Sequence, residues 1–148
     1  MFRGVAYISL DGKGRLAVPA KYRDALVERC AGRLIVTVDP SRCAILYPYP
    51  DWEPVYARLM ELPSFEPRSR WLQRLIGGHA EELTIDAQGR IVVPPAVRDY
   101  ARLETRAALV GQGNRIELWD EGRWKEEIGA EHGPGADDLP PAVRSFSL

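Results

Sequence analysis

One stretch of this chain occurs twice, and its duplication limits the fold more than any other feature. Asp11-Gly12-Lys13-Gly14-Arg15-Leu16-Ala17-Val18-Pro19-Ala20-Lys21-Tyr22-Arg23 is matched by Asp86-Ala87-Gln88-Gly89-Arg90-Ile91-Val92-Val93-Pro94-Pro95-Ala96-Val97-Arg98. Asp, Gly, Arg, Val, Pro and Arg recur at the same relative places, 75 positions apart. Each copy opens with a Gly-containing turn that reads as a hairpin tip, with Gly14 and Gly89 as its turn residues. A short apolar strand follows, and then a Pro suited to the first position of a helix, where its missing N–H costs nothing. A chain of 148 residues has room for one ordinary domain. Half that length rarely buries enough apolar surface to stand alone, so the two copies are expected to share one core.

Taken in order, the pattern predicts a strand over 4–10, where Ala6, Ile8 and Leu10 alternate with Val5, Tyr7 and Ser9. Asp11–Gly14 is expected to turn this strand back into Arg15–Val18. A helix over Ala20–Arg29 should end at Gly32. Strands over Leu34–Val38 and Cys43–Tyr47 follow, and then a helix from Asp51, its expected cap, to about Glu61. Pro63–Pro67 is a linker and Arg68–Ile76 a further helix. The second repeat restates the order: strand 82–85, strand 90–93, helix 95–102, strands 107–111 and 115–119, and a helix from Asp120. The division is a first repeat at 4–62, a linker helix in 63–80, a second repeat at 81–128 and a flexible acidic tail over 129–148, with one helical turn near Ala142–Phe146. The fold class is α+β, mainly β. Two tandem β-hairpin-α-β-β repeats are interleaved about a pseudo-twofold axis, with flanking helices.

The net charge of −1 points to no partner, but local charge does. Met1–Arg23 carries Arg3, Lys13, Arg15, Lys21 and Arg23 against Asp11 alone, whereas Asp120–Asp138 is strongly acidic. Cys30 and Cys43 lack metal-ligand spacing and read as free thiols of a reducing compartment. His79 and His132 neighbour no second ligand, and His79 reads as a structural donor at a helix end. The Gly-Lys-Gly at 12–14 lacks the spacing of a phosphate loop. No nucleophile–base arrangement is visible. The chain therefore reads as no enzyme, with no cofactor, no metal, no membrane span and no small-molecule substrate, and is expected in the cytoplasm.

The doubled Asp-x-x-x-Arg with its following Val-Pro closely resembles the MraZ family. So do Met1-Phe2-Arg3-Gly4, Gln73-Arg74-Leu75-Ile76-Gly77-Gly78-His79-Ala80 and Glu117-Leu118-Trp119-Asp120. The resemblance runs to about Trp124. It implies a bacterial transcriptional regulator on the AbrB/SpoVT swapped-hairpin barrel, associated with the nucleoid. It also implies a ring-shaped homo-oligomer on short direct repeats of double-stranded DNA, upstream of the division and cell-wall gene cluster and of its own gene.

The residues support a DNA reading on their own chemistry. Arg15 and Arg90 stand just past the turns, where an Arg on a β-ribbon offers two parallel donors to guanine O6 and N7. Lys13 and Lys21, with Arg3 in the same basic stretch, suit phosphates. Asp11 and Asp86 are assigned to the turn itself, bonding its N–H groups and holding the Arg by a charge-assisted pair. The second copy has Gln88 for Lys13 and Ala96 for Lys21, so its phosphate grip reads as weaker. Trp52 and Trp124 occupy equivalent places and are assigned to packing. Trp71 and Leu75 lie in a stripe that is either core or subunit contact, and they are the expected residues of such a contact. The alternative to a DNA binder is a ring-forming scaffold or protein-interaction module, which the acidic tail favours.

Overall fold

Strands that are apolar at every position need cover on both faces, and here both are covered. The computed structural model describes residues 1–130 and 139–148. Its strands are β1 Val5–Ser9, β2 Arg15–Ala17, β3 Arg33–Asp39, β4 Cys43–Pro48, β5 Glu81–Thr84, β6 Arg90–Val92, β7 Arg106–Gly111 and β8 Ile116–Asp120. Its helices are α1 Ala20–Cys30, α2 Tyr49–Met60, α3 Pro67–Leu72 continued by a π turn over Gln73–Gly77, α4 Pro95–Ala101, α5 Glu121–Gly129 and α6 Pro141–Arg144. Alternate residues of the central strands enter two cores. Leu34, Val36, Val38, Ala44, Leu46, Ala107, Leu109, Ile116 and Leu118 join Leu16, Tyr22, Leu26, Ile91 and Val97 on one side. Ile35, Cys43, Ile45, Tyr47, Ala108, Val110 and Trp119 join Trp52 on the other, with Trp124 packed against them. That is the period-two signature of a sheet buried on both sides.

The class is α+β with one antiparallel sheet, ordered β1-β7-β8-β4-β3-β5, and a separate ribbon of β2 and β6. The repeats exchange strands: β1 of the first pairs with β7 of the second, and β5 of the second with β3 of the first. The cross-strand pairs Ile45–Glu117 and Leu16–Ile91 each join equivalent residues, so the pseudo-twofold axis runs between them.

Two expectations are corrected. Asp11–Gly14 does not fold β1 back onto β2. The Asp11 N–H reaches the Arg15 carbonyl at 3.1 Å, and then the strands part. Pairing β2 with β6 sets Leu16 and Ile91 side by side on one buried face, each 1% exposed. Burial of each contributes about 1.5–3 kcal/mol, which a local hairpin with both Leu16 and Ile91 apart would forgo. Nor is the sheet a closed barrel. With β2 and β6 withdrawn into the ribbon, β1 and β5 remain as its open edges.

α1 and α4 start where expected, at Ala20 and Pro95, but the place of two prolines and the start of α2 differ. Pro19 and Pro94 sit one residue ahead of α1 and α4, at φ −55° and −60°, rather than at the first helical residue. Asp51 does not cap α2, which starts two residues earlier at Tyr49 with Pro50 in its first turn; its carboxylate instead pairs with Arg29. Glu66 caps α3, accepting from the Arg68 and Ser69 N–H groups. α1 ends on Ala31 and Gly32, both at positive φ. Of the tail assigned to 129–148, α6 supplies one turn, and residues 131–138, with all of its acidic side chains and His132, lie outside the described residues. Among the described residues no helix is long and apolar enough to cross a membrane.

Candidate nucleic-acid interface

The three-residue strands β2 and β6 alternate Arg-Leu-Ala and Arg-Ile-Val, so one face is apolar and the other is not. Leu16 and Ile91 point into the core. The outer face carries Arg15, Ala17, Arg90 and Val92, with Arg15 opposite Val92 and Ala17 opposite Arg90. The two arginines are therefore diagonal neighbours, about 7–8 Å apart by ladder geometry. Their side chains are 39% and 36% exposed. A single ribbon built from both copies takes the place of two separate hairpins.

Each turn is closed by its own aspartate. Asp11 Oδ1 accepts from the Lys13 and Arg15 N–H groups, both at 2.9 Å, and Asp86 Oδ1 from those of Gln88 and Arg90, also both at 2.9 Å. The Gly14 and Gly89 N–H groups close the turns at 3.0 Å onto the Asp11 and Asp86 carbonyls. The arginine side chains then diverge. Arg15 Nε donates to Asp11 Oδ2 at 2.6 Å. Arg90 Nε lies 3.7 Å from Asp86 Oδ2, and Arg90 Nη2 donates to Gln88 Oε1 at 2.5 Å. The backbone N–H of Arg15 first, then its side chain, hold the Asp11 carboxyl down at about 2. The Arg90 N–H lowers Asp86 as well.

Gly14 and Gly89, at φ +82° and +78°, serve a second purpose. A Cβ on Gly14 would lie 2.7 Å from Arg98 Nε and 2.8 Å from the Val93 carbonyl oxygen; one on Gly89 would lie 2.8 Å from Arg23 Nη1. Each turn is thus roofed by the arginine that ends the other copy. The Val18 N–H donates to the Gly89 carbonyl and the Val93 N–H to the Gly14 carbonyl, tying the turns across the ribbon. Nothing in the local sequence gives Arg23 or Arg98 a role at the turns. Their recurrence at the same place in both copies was the available signal.

The remaining residues fall elsewhere. Lys13 is exposed at the first turn. Arg3 and Lys21 line one surface cavity ahead of β1, where the Tyr22 hydroxyl donates to the Arg3 and Gly4 carbonyls and Lys21 Nζ lies 4.8 Å from the Tyr22 ring centroid. Trp71 is 51% exposed, whereas Leu75 is 9% exposed and packs into the chain's own core. Leu75 is on the inward side of its helix, so it serves the fold. Other exposed apolar side chains in this part of the chain are Tyr56 and Met60 on α2 and Phe65 ahead of α3. His79 Nδ1 lies 2.7 Å from the Leu75 carbonyl oxygen. Cys30 and Cys43 are free, and burial pushes the Cys43 thiol up. The paired rings Tyr47–Trp52 and Trp119–Trp124, with centroids 5.6 and 6.0 Å apart and planes inclined at 51° and 55°, are equivalent tilted pairs in the second core.

Two consecutive segments, residues 1–75 and 76–131, match the family described as "MraZ protein, putative antitoxin-like". Proteins named transcriptional regulator MraZ are similar along the chain. That of Thiobacillus denitrificans is 46% identical over 148 residues, covering all of both chains. That of Thioalkalivibrio sulfidiphilus is 56% identical over 124 residues, 84% of this chain and 83% of the relative. That of Pseudomonas aeruginosa is 50% identical over 153 aligned positions, covering all of both. With the doubled turn, the exchanged strands and full-length relatives in agreement, the chain belongs to the MraZ family.

Proposed function

We propose that this protein is a transcriptional regulator that binds double-stranded DNA through the outer face of the β2–β6 ribbon. The observation that carries this reading is the placement of Arg15 and Arg90 together on that face, over a fully buried Leu16–Ile91 pair. A two-stranded ribbon fits the major groove, and an Arg held at its base presents paired donors to guanine. Lys13, Lys21 and Arg3 supply phosphate contacts, which position the protein without choosing a sequence. Asp11, Asp86, Gly14 and Gly89 hold the turns that aim the arginines. The repeats at 4–62 and 81–128 act as one binding unit joined by 63–80. Their strand exchange is the AbrB/SpoVT swapped-hairpin arrangement in an open form.

The DNA is a set of short direct repeats upstream of the division and cell-wall gene cluster, this protein's own gene included. The protein works in the cytoplasm at the nucleoid. One ribbon makes few contacts, and a closed homo-oligomer multiplies them along repeats about one helical turn apart, roughly 10 bp. Trp71, with Tyr56, Met60 and Phe65, is assigned to the subunit contact. An electrophoretic shift on the DNA upstream of its own gene, at moderate salt with competitor, tests the reading. A shifted complex that survives random competitor is expected; binding no tighter than to random duplex overturns it.

A further inference from the structure

The two turns hold their arginines differently, and the residue that makes the difference is the one two places before each arginine. Lys13 has donors only and repels a guanidinium, so Arg15 turns to Asp11. Gln88 has an amide oxygen, and Arg90 Nη2 donates to it while Asp86 Oδ2 is left at 3.7 Å. Arg90 Nε is enclosed and has no acceptor, so the guanidinium is turned by Gln88 rather than by its carboxylate.

We propose that Gln88 is a specificity-determining residue and that the second turn reads DNA through Gln88 and Arg90 jointly. This rests on the DNA-binding reading above. Arg15, anchored through Nε, leaves Nη1 and Nη2 for the O6 and N7 of one guanine. Arg90 has committed part of Nη2 to Gln88. That bond turns the Gln88 oxygen towards Arg90 and takes one of its two lone pairs, so the paired donor–acceptor contact that glutamine makes to adenine is not preformed. Its two amide N–H groups remain, beside the free N–H groups of Arg90. The result is a donor array spread over two side chains, wider than one base edge. It fits a base step with acceptors on neighbouring pairs, such as guanine O6 and N7 beside adenine N7 or thymine O4. The two turns therefore select different base pairs, and the site read by one ribbon is asymmetric although the backbone is nearly twofold.

The test uses the full chain and a panel of operator duplexes carrying every single base-pair substitution, with wild type, Gln88→Ala, Arg90→Ala and Arg15→Ala compared. Gln88 is exposed, so Gln88→Ala should melt with the wild type. We expect Gln88→Ala to relax preference about tenfold at a base pair where Arg90→Ala also acts, to leave the positions sensitive to Arg15→Ala unchanged, and to keep the salt slope, since no charge is removed. A wild type that discriminates among the duplexes while Gln88→Ala keeps the same preference everywhere overturns this inference alone. So does a uniform loss of affinity without change of preference. A wild type that binds no duplex selectively overturns the underlying reading, and this one with it.

Discussion

At Asp11–Arg15 a carboxylate grips both the backbone of its turn and the arginine beyond it; at Asp86–Arg90 the same backbone bonds are made and the arginine is handed to an amide. The turns also sit differently beneath their roofs. Gly14 faces Arg98 and, at 2.8 Å from a would-be Cβ, the Val93 carbonyl oxygen, whereas the three atoms nearest a Cβ on Gly89 all belong to the Arg23 side chain. Duplication thus conserved the element that backbone hydrogen bonding decides, and left free the element that side chains decide. Under the proposed DNA-binding function the first copy is the more rigid reader: a carboxylate at 2.6 Å holds its arginine, and preorganised donors lose less freedom on binding.

The largest effect should come from removing that reader. Arg15→Ala is expected to cost about 1–3 kcal/mol per contact, multiplied across an oligomer, so that specific binding is abolished while the melting temperature holds. Arg90→Ala should weaken binding less. Titrating both against the operator would break the comparison if the two losses were equal.

Next come the glycines. Both sit at positive φ, so an alanine at either costs about 1–2 kcal/mol in backbone strain. At Gly14 the Val93 backbone must also move, so Gly14→Ala should lose about 2–4 kcal/mol and Gly89→Ala close to the strain alone. Denaturant unfolding of the two variants measures this directly; a more damaging Gly89→Ala would show that Arg23 is the stiffer roof.

A smaller effect separates the aspartates. A carboxyl held below its unfolded value contributes stability that is complete above the ordinary carboxylate range and lost as pH falls through its folded value. For Asp11 that window runs from 3.8 down to about 2. Asp86 is lowered too, with its Arg90 side-chain partner farther away. Stability measured against pH should therefore lose more of its acid limb in Asp11→Asn than in Asp86→Asn. Equal curves would mean that the backbone bonds common to both turns carry the whole shift.

The smallest is in salt dependence. Lys13→Ala should lower the slope of log affinity against log salt by about 1 per engaged chain without altering sequence preference, and Gln88→Lys should raise it by about as much. An unchanged slope in Lys13→Ala would remove Lys13 from the phosphate contacts.

Much of the candidate site was legible in the residues. Asp11 and Asp86 could be read as turn ligands because a short carboxylate ahead of a Gly-containing turn has backbone N–H groups within reach and few other partners. Arg15 and Arg90 were legible because alternation sets them opposite the apolar Leu16 and Ile91. Arg23 and Arg98 were not, since their partner is the other copy's turn. Leu75 could not be separated from Trp71, because both lie on one apolar stripe and only packing against β3 shows which side is inward. Asp51 looked like a helix cap until Arg29, distant in sequence, claimed its carboxylate.

By itself the sequence determined most of the elements, their order, the doubled turn and the apolar runs of the central strands. All of these depend on residues within one turn or one strand of each other. Only the tertiary structure decided which strands pair. A turn at Asp11–Gly14 is compatible with β1 folding back on β2 or with both leaving for separate partners. The local hydrogen bonds are the same in each case, and the difference lies in burying Leu16 against Ile91 and laying β1 on β7, contacts between residues far apart in the chain. That choice put two arginines from opposite halves of the chain on one exposed face.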